Sequence, residues 1–127
     1  MVYFLGKINF SILNNLNKAF KSIIKDEVIV TQERLQHIDS NHPEDMGLFR
    51  AYGKICVEEP DIVIQDLKHE RTIFMIKQLP DTNLNVVVRL ILQGEDKSLK
   101  NSVMTFYRIR NNNLKKLINK HKILYNK

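Results

Sequence analysis

GLFRAYGKICVEEPDIVIQD, residues 47–66, is where the chain changes its pattern. Up to Glu58 the apolar residues keep helical spacing: Met46, Phe49, Gly53 and Cys56 form a stripe that Leu48, Tyr52 and Ile55 widen. Glu58-Glu59-Pro60 ends it, because proline lacks the N–H a helix needs and pushes the residue before it away from helical angles. From Asp61 onward the β-branched run IVI reads as a strand.

Three further strands follow. TIFMIKQ (72–78), NLNVVVRLIL (83–92) and SVMTFYRI (102–109) succeed DIVIQD (61–66), separated by LKHER, LPDT and QGEDKSLKN, which carry turn residues. Four consecutive strands predict an antiparallel meander. Alternation puts Val86, Val88, Leu90 and Leu92 on one side of the third strand and Asn85, Val87, Arg89 and Ile91 on the other. In the fourth strand the sets are Ser102, Met104, Phe106 and Arg108 against Val103, Thr105, Tyr107 and Ile109, and the pattern leaves its register open. Lys77 shares a face with Ile73 and Met75.

Upstream of Pro60 the chain is mostly helical. VYFL is a short strand candidate ending at Gly6, and Asn9–Ile24 sets Ile12, Leu16, Ala19 or Phe20, and Ile23 at helical spacing. VIV (28–30) is too short for periodicity to assign. Thr31 is a good N-cap for a second helix, with Gln32 and Glu33 in its first turn. That helix must stop near Asn41, since Pro43 follows His42, and Pro43 can open the next one. After the strands, Asn111–Tyr125 reads as a short terminal helix with Leu114, Leu117, Ile118 and Leu124 inward and a basic outer face. The expectation is one α+β domain over residues 1–127: N-terminal helices on one face of a four-stranded antiparallel sheet, then a short C-terminal helix.

At 127 residues the chain has room for one hydrophobic core, and 43% hydrophobic with 27% charged residues is a globular composition. No window approaches the roughly 18 uninterrupted apolar residues of a membrane helix. No signal peptide is read in the opening segment, which Lys7 and three asparagines interrupt. The single cysteine, Cys56, excludes an internal disulfide and fits a reducing, cytoplasmic setting. Twenty Lys and Arg against fourteen Asp and Glu give a net charge of +6, which favours polyanionic partners. The excess is uneven: from Lys97 to Lys127 there are nine basic residues and no acid after Asp96.

TQERLQHIDSNHP (31–43) gathers Arg34, His37 and His42 around the helix end. A metal ladder fits poorly, since the two histidines are five apart where one helical face wants three or four, so no metal or other cofactor is expected. Cys56 lies on an apolar stripe and reads as core. Metal-free cleavage of RNA through its own 2′-hydroxyl needs a base, an acid and cationic donors for the phosphorane charge. His37 or His42 can serve as base or acid, Arg34 or Arg89 can hold phosphate, and Thr105 and Tyr107 supply hydroxyls.

FLGKI (4–8), DEVIVTQERLQHIDSNHPED (26–45), EEPDIVI (58–64), NLNVVVRL (83–90), KNSVMTFYRI (100–109) and the closing KILYNK span nearly the whole chain. Together they resemble the phage-associated nuclease-like domains that group with barnase, EndoU, colicin RNases and RelE toxins. ERLQHIDSNHP and NSVMTFYRI are the most specific parts. The resemblance implies a cleft where helices meet sheet, with His37, His42, Thr105 and Tyr107 as catalytic candidates and Arg34, Lys77, Arg89 and Arg108 as phosphate-binding candidates. It further implies a small metal-independent endoribonuclease, a phage or mobile-element toxin or effector acting on tRNA or other structured RNA, with an acidic immunity or antitoxin protein as a partner. The alternative is a noncatalytic RNA- or protein-binding module on the same scaffold.

Overall fold

The computed structural model describes residues 1–92, 94–95 and 98–127. Asp96 and Lys97, at the start of the basic run, lie outside the described residues, as does Gln93 in the last inter-strand connection. In chain order the elements are β1 (Val2–Lys7), α1 (Phe10–Phe20), β2 (Glu27–Thr31), α2 (Gln32–Asn41), α3 (Met46–Glu58), β3 (Ile62–Gln65), β4 (Thr72–Gln78), β5 (Asn83–Arg89), β6 (Asn101–Ile109), α4 (Asn111–Lys120) and β7 (Lys122–Asn126). Asn9 starts α1 by accepting the Ile12 N–H on its side-chain oxygen at 2.9 Å, and Thr31 caps α2 through the Arg34 N–H at 3.1 Å. His42 ends α2, and a 3₁₀ turn over Pro43–Asp45 leads into α3, which begins at Met46 rather than at the proline.

The expected four-stranded antiparallel sheet is corrected to a seven-stranded mixed one, ordered β1-β2-β6-β5-β4-β3-β7. The four strands after Pro60 do pair as a meander, β3 to β4 to β5 to β6. Three short segments enlarge the sheet. VYFLGK pairs antiparallel with EVIVT, and EVIVT joins β6 in parallel. KILYN leaves the terminal helix at His121, where the backbone turns extended, and pairs antiparallel with β3. β3 carries the run IVI and would otherwise expose a row of unpaired backbone groups at the sheet edge, which β7 covers. β5 stops at Arg89, so Leu90–Leu92 leave the strand.

The helices are also distributed differently. α1, α2 and α3 pack on one face, where Ile12, Leu16, Ile38, Phe49, Cys56 and Val57 meet Val63, Ile73, Met75, Leu84, Val86, Val88, Val103 and Phe106. α4 covers the other face, seating Leu114, Leu117 and Ile118 against Ile62, Ile64, Phe74, Ile76, Val87 and Ile109. The register that alternation left open is set by a bulge. Val87 pairs with Thr105 but Val88 pairs with Val103, so one residue is inserted and β6 changes phase. Val103 and Phe106 consequently both face the helices, and Phe106 stacks on Phe49 with ring centroids 3.9 Å apart. Cys56 is core: its thiol donates to the Met75 carbonyl at 3.0 Å, and burial pushes its pKa up to about 12.

β2 and β6 share only the pairs Val28–Asn101 and Ile29–Ser102 before β2 turns into α2. Beyond that point the sheet is split on this side of β6, and α2 and the Pro43–Asp45 turn fill the gap. Among the described residues, no helix is long and apolar enough to cross a membrane.

Candidate active site

The split in the sheet places the end of α2 beside the last turn of β6. Asp45, whose side chain is 5% exposed, accepts a hydrogen bond from Arg108 Nε at 2.6 Å and a longer one from the Arg108 backbone N–H at 3.4 Å. A strand N–H left without a sheet partner is thereby satisfied by a carboxylate from the corner. This clamp holds His42 over β6, with its ring centroid 6.5 Å from that of Tyr107.

Around these residues opens a cleft of about 500 Å³ lined by His42, Glu44, Asp45, Asp81, Thr82, Tyr107, Arg108 and Arg110. Asp81 and Thr82 come from the β4–β5 turn, and Arg110 is the residue from which α4 starts. Among the described residues the His42 ring and the Arg110 guanidinium make no hydrogen bond or ion pair, so both are available to a ligand. Tyr107 is half-buried, and burial raises its pKa above the ordinary phenol value although a hydrogen bond from Asn85 works the other way. It is therefore a protonated donor at neutral pH.

Of the expected site residues, the fold brings His42, Tyr107 and Arg108 into one cleft. Arg34 and His37 line a separate opening on α2, of about 510 Å³, with Thr31, Glu33, Gln36 and Ser40, and the His37 ring is engaged by the Asn41 side chain at 3.1 Å. Thr105 pairs with Val87 beside the bulge, outside the cleft lining. Lys77 donates to the Glu59 carbonyl at 2.8 Å and lies 3.7 Å from Asp61, tying the end of α3 to the sheet. Arg89 ends β5 at the opposite end from Asn83, about 20 Å along a strand rising ~3.3 Å per residue.

Glu44, Asp45, Asp81, Thr82 and Arg110 were not singled out in the sequence. Arg110 had a signal, being the second arginine after the aromatic pair Phe106-Tyr107 at a strand end. Glu44 and Asp45 had one in the Pro-Glu-Asp turn behind His42. Asp81 and Thr82 had none, since only the β4–β5–β6 register carries that turn to the cleft.

One donor set could hold a cation here: ligand atoms of His42, Glu44 and Asp45 lie within 4.8 Å of one another. The fit is poor, because the buried Asp45 carboxylate already accepts from the Arg108 Nε and backbone N–H, so a cation would compete with both.

A family model described as phage-Barnase-EndoU-ColicinE5/D-RelE like nuclease2 matches residues 4–126. Neither the curated proteins nor the solved structures yielded a match to the chain. The match takes in every strand and helix of the fold except the first two residues of β1, with the whole of the cleft, and the chain belongs to this family of phage nuclease-like domains.

Proposed function

We propose that the chain is a metal-independent endoribonuclease whose reaction takes place in the cleft between His42 and β6. The observation that carries this reading is the meeting, at one opening, of a protonated phenol with an imidazole and a guanidinium that make no hydrogen bond or ion pair among the described residues, in a chain of the nuclease family. His42, with a ring nitrogen free to accept, takes the proton of the attacking 2′-hydroxyl. Arg110 holds the phosphate and the charge that builds on it in the transition state. Tyr107, kept protonated by burial, gives its proton to the departing 5′-oxygen, and the proton held by His42 restores the phenol. Arg108 stays with Asp45 and keeps the corner in place.

Metal independence is supported by the use already made of Asp45, whose carboxylate is engaged by Arg108 and is the one buried member of the candidate donor set. The substrate class follows from the mechanism, because only RNA carries the internal nucleophile this set of groups can activate. Structured RNA such as tRNA, a toxin or effector role and an acidic neutralising partner belong to the same reading, favoured by the positive charge of the C-terminal third.

The test is a comparison of two histidines. In a chelator, His42→Ala is expected to lose RNA cleavage by at least 100-fold, within the range ascribed to a single acid–base group, while His37→Ala keeps most of its turnover. RNA that is bound but not cut by the wild-type protein would replace this reading with the noncatalytic module.

A further inference from the structure

Asn85 is the third residue of β5, entirely buried, on the sheet face that α4 covers and in register with Ile76 on one side and Tyr107 on the other. Along the same face of β5 its neighbours are Val87 and the buried Asn83, and the face is otherwise built of the apolar cluster that holds Ile76, Val87, Ile109 and Leu114. Its side-chain nitrogen donates to the Tyr107 hydroxyl oxygen at 3.0 Å. Its side-chain oxygen has no partner, the one such buried side-chain atom among the described residues. A buried amide left half-satisfied is costly, and a leucine of similar size would suit this face better. The polar group makes sense only through what its nitrogen does.

We propose that Asn85 is a positioning residue for Tyr107, fixing the phenol at the floor of the cleft and turning its hydroxyl proton outward. An N–H that donates to the phenol oxygen occupies one of its lone pairs, so the O–H is left to find an acceptor elsewhere. The acceptor proposed for it lies in the cleft that Tyr107 lines with His42 and Arg110, where the phosphate is proposed to bind. Asn85 itself is out of reach of any substrate. The proposal rests on the ribonuclease reading for its activity arm, while its geometry stands on the Asn85–Tyr107 contact alone.

The experiment replaces Asn85 by leucine, and separately by alanine in case the larger residue packs badly, each also made in a Tyr107→Phe background. With RNA as substrate, Asn85→Leu is expected to lower kcat about tenfold with KM within about twofold, the pattern of a group whose contribution appears only in the transition state. In the Tyr107→Phe background the same substitution should cost nothing further. Independently of activity, the ultraviolet phenolate titration that Tyr107→Phe removes should move to higher pH in Asn85→Leu, because the donor that favours the phenolate is gone. Wild-type turnover in both Asn85 variants, an equal loss with and without the Tyr107 hydroxyl, or an unmoved phenolate titration would each overturn the proposal. If the wild-type protein cuts no RNA, the ribonuclease reading fails, and the titration still decides whether Asn85 controls the phenol.

Discussion

Asp45 joins two segments that are 63 positions apart in sequence, and the cleft depends on that junction. Its partner Arg108 is 47% exposed on its side chain, so water compensates the guanidinium when the carboxylate is removed. The carboxylate itself is buried and also serves a strand N–H. Asp45→Ala should therefore cost about 2 kcal/mol, the low end of the ~2–4.5 kcal/mol expected for one charge-assisted and one ordinary hydrogen bond because the guanidinium is half exposed, seen as a lower denaturant midpoint at unchanged slope. Asp66 carries a different prediction. Burial alone would push its carboxyl up, but hydrogen bonds from the His69 ring and from the Lys68 and His69 N–H groups outweigh this and hold it below its ordinary value. A carboxyl that is more acidic in the folded state contributes its stability in full above the unfolded pKa of about 3.9 and loses it as pH falls through the lower folded value. Stability should thus fall as pH drops below about 4, and Asp66→Asn should flatten that part of the profile.

At the level of elements, legibility followed length and context. The helix starts at Asn9 and Thr31, the corner at Pro43 and the four strands after Pro60 are written in local chemistry that needs no tertiary information. Two of the short segments are not. EVIVT has five residues and KILYN five, and both form strands only because a neighbour offers an edge to pair with. KILYN also follows a basic helix without proline or glycine to mark the break, which hid it in the helical reading. The bulge opposite Val87 was likewise invisible, since inserting one residue reverses every face beyond it. The site was legible in the same uneven way: His42, Tyr107 and Arg108 could be named from their phrases, whereas the separation of His37 and Arg34 from them depends on how α2 is turned. α4 is the element whose role changed most, from an appendage to the cover of a whole sheet face. Leu114 is 5% exposed in that cover, so Leu114→Ala should cost about 2–4 kcal/mol, read by thermal or denaturant unfolding, and should loosen Asn83, whose amide bonds Asn111 at 2.8 Å at the head of α4.

Over the whole molecule the charge distribution gives the cleft a direction. Arg110 lines the opening, and α4 runs on from it across the sheet with Lys115, Lys116 and Lys120 exposed and no acid in the helix. RNA affinity should fall steeply with added salt, the slope shrinking by about 0.7 for each single-strand phosphate that the protein no longer neutralises. Replacing Lys115, Lys116 and Lys120 by glutamine should reduce that slope in binding assays while leaving the melting temperature nearly unchanged, as expected for substitutions on an exposed face. The position of the cleft in the fold is set by one topological fact, the early divergence of β2 from β6, which leaves room for a helix corner at the end of a strand. The chemistry proposed for that corner is tested most directly by the ends of the RNA it produces. Incubated with RNA in excess chelator, the wild-type protein should leave 2′,3′-cyclic phosphate at the upstream fragment and a free 5′-hydroxyl downstream. Fragments bearing 5′-phosphate, formed only when a divalent cation is supplied, would contradict the account.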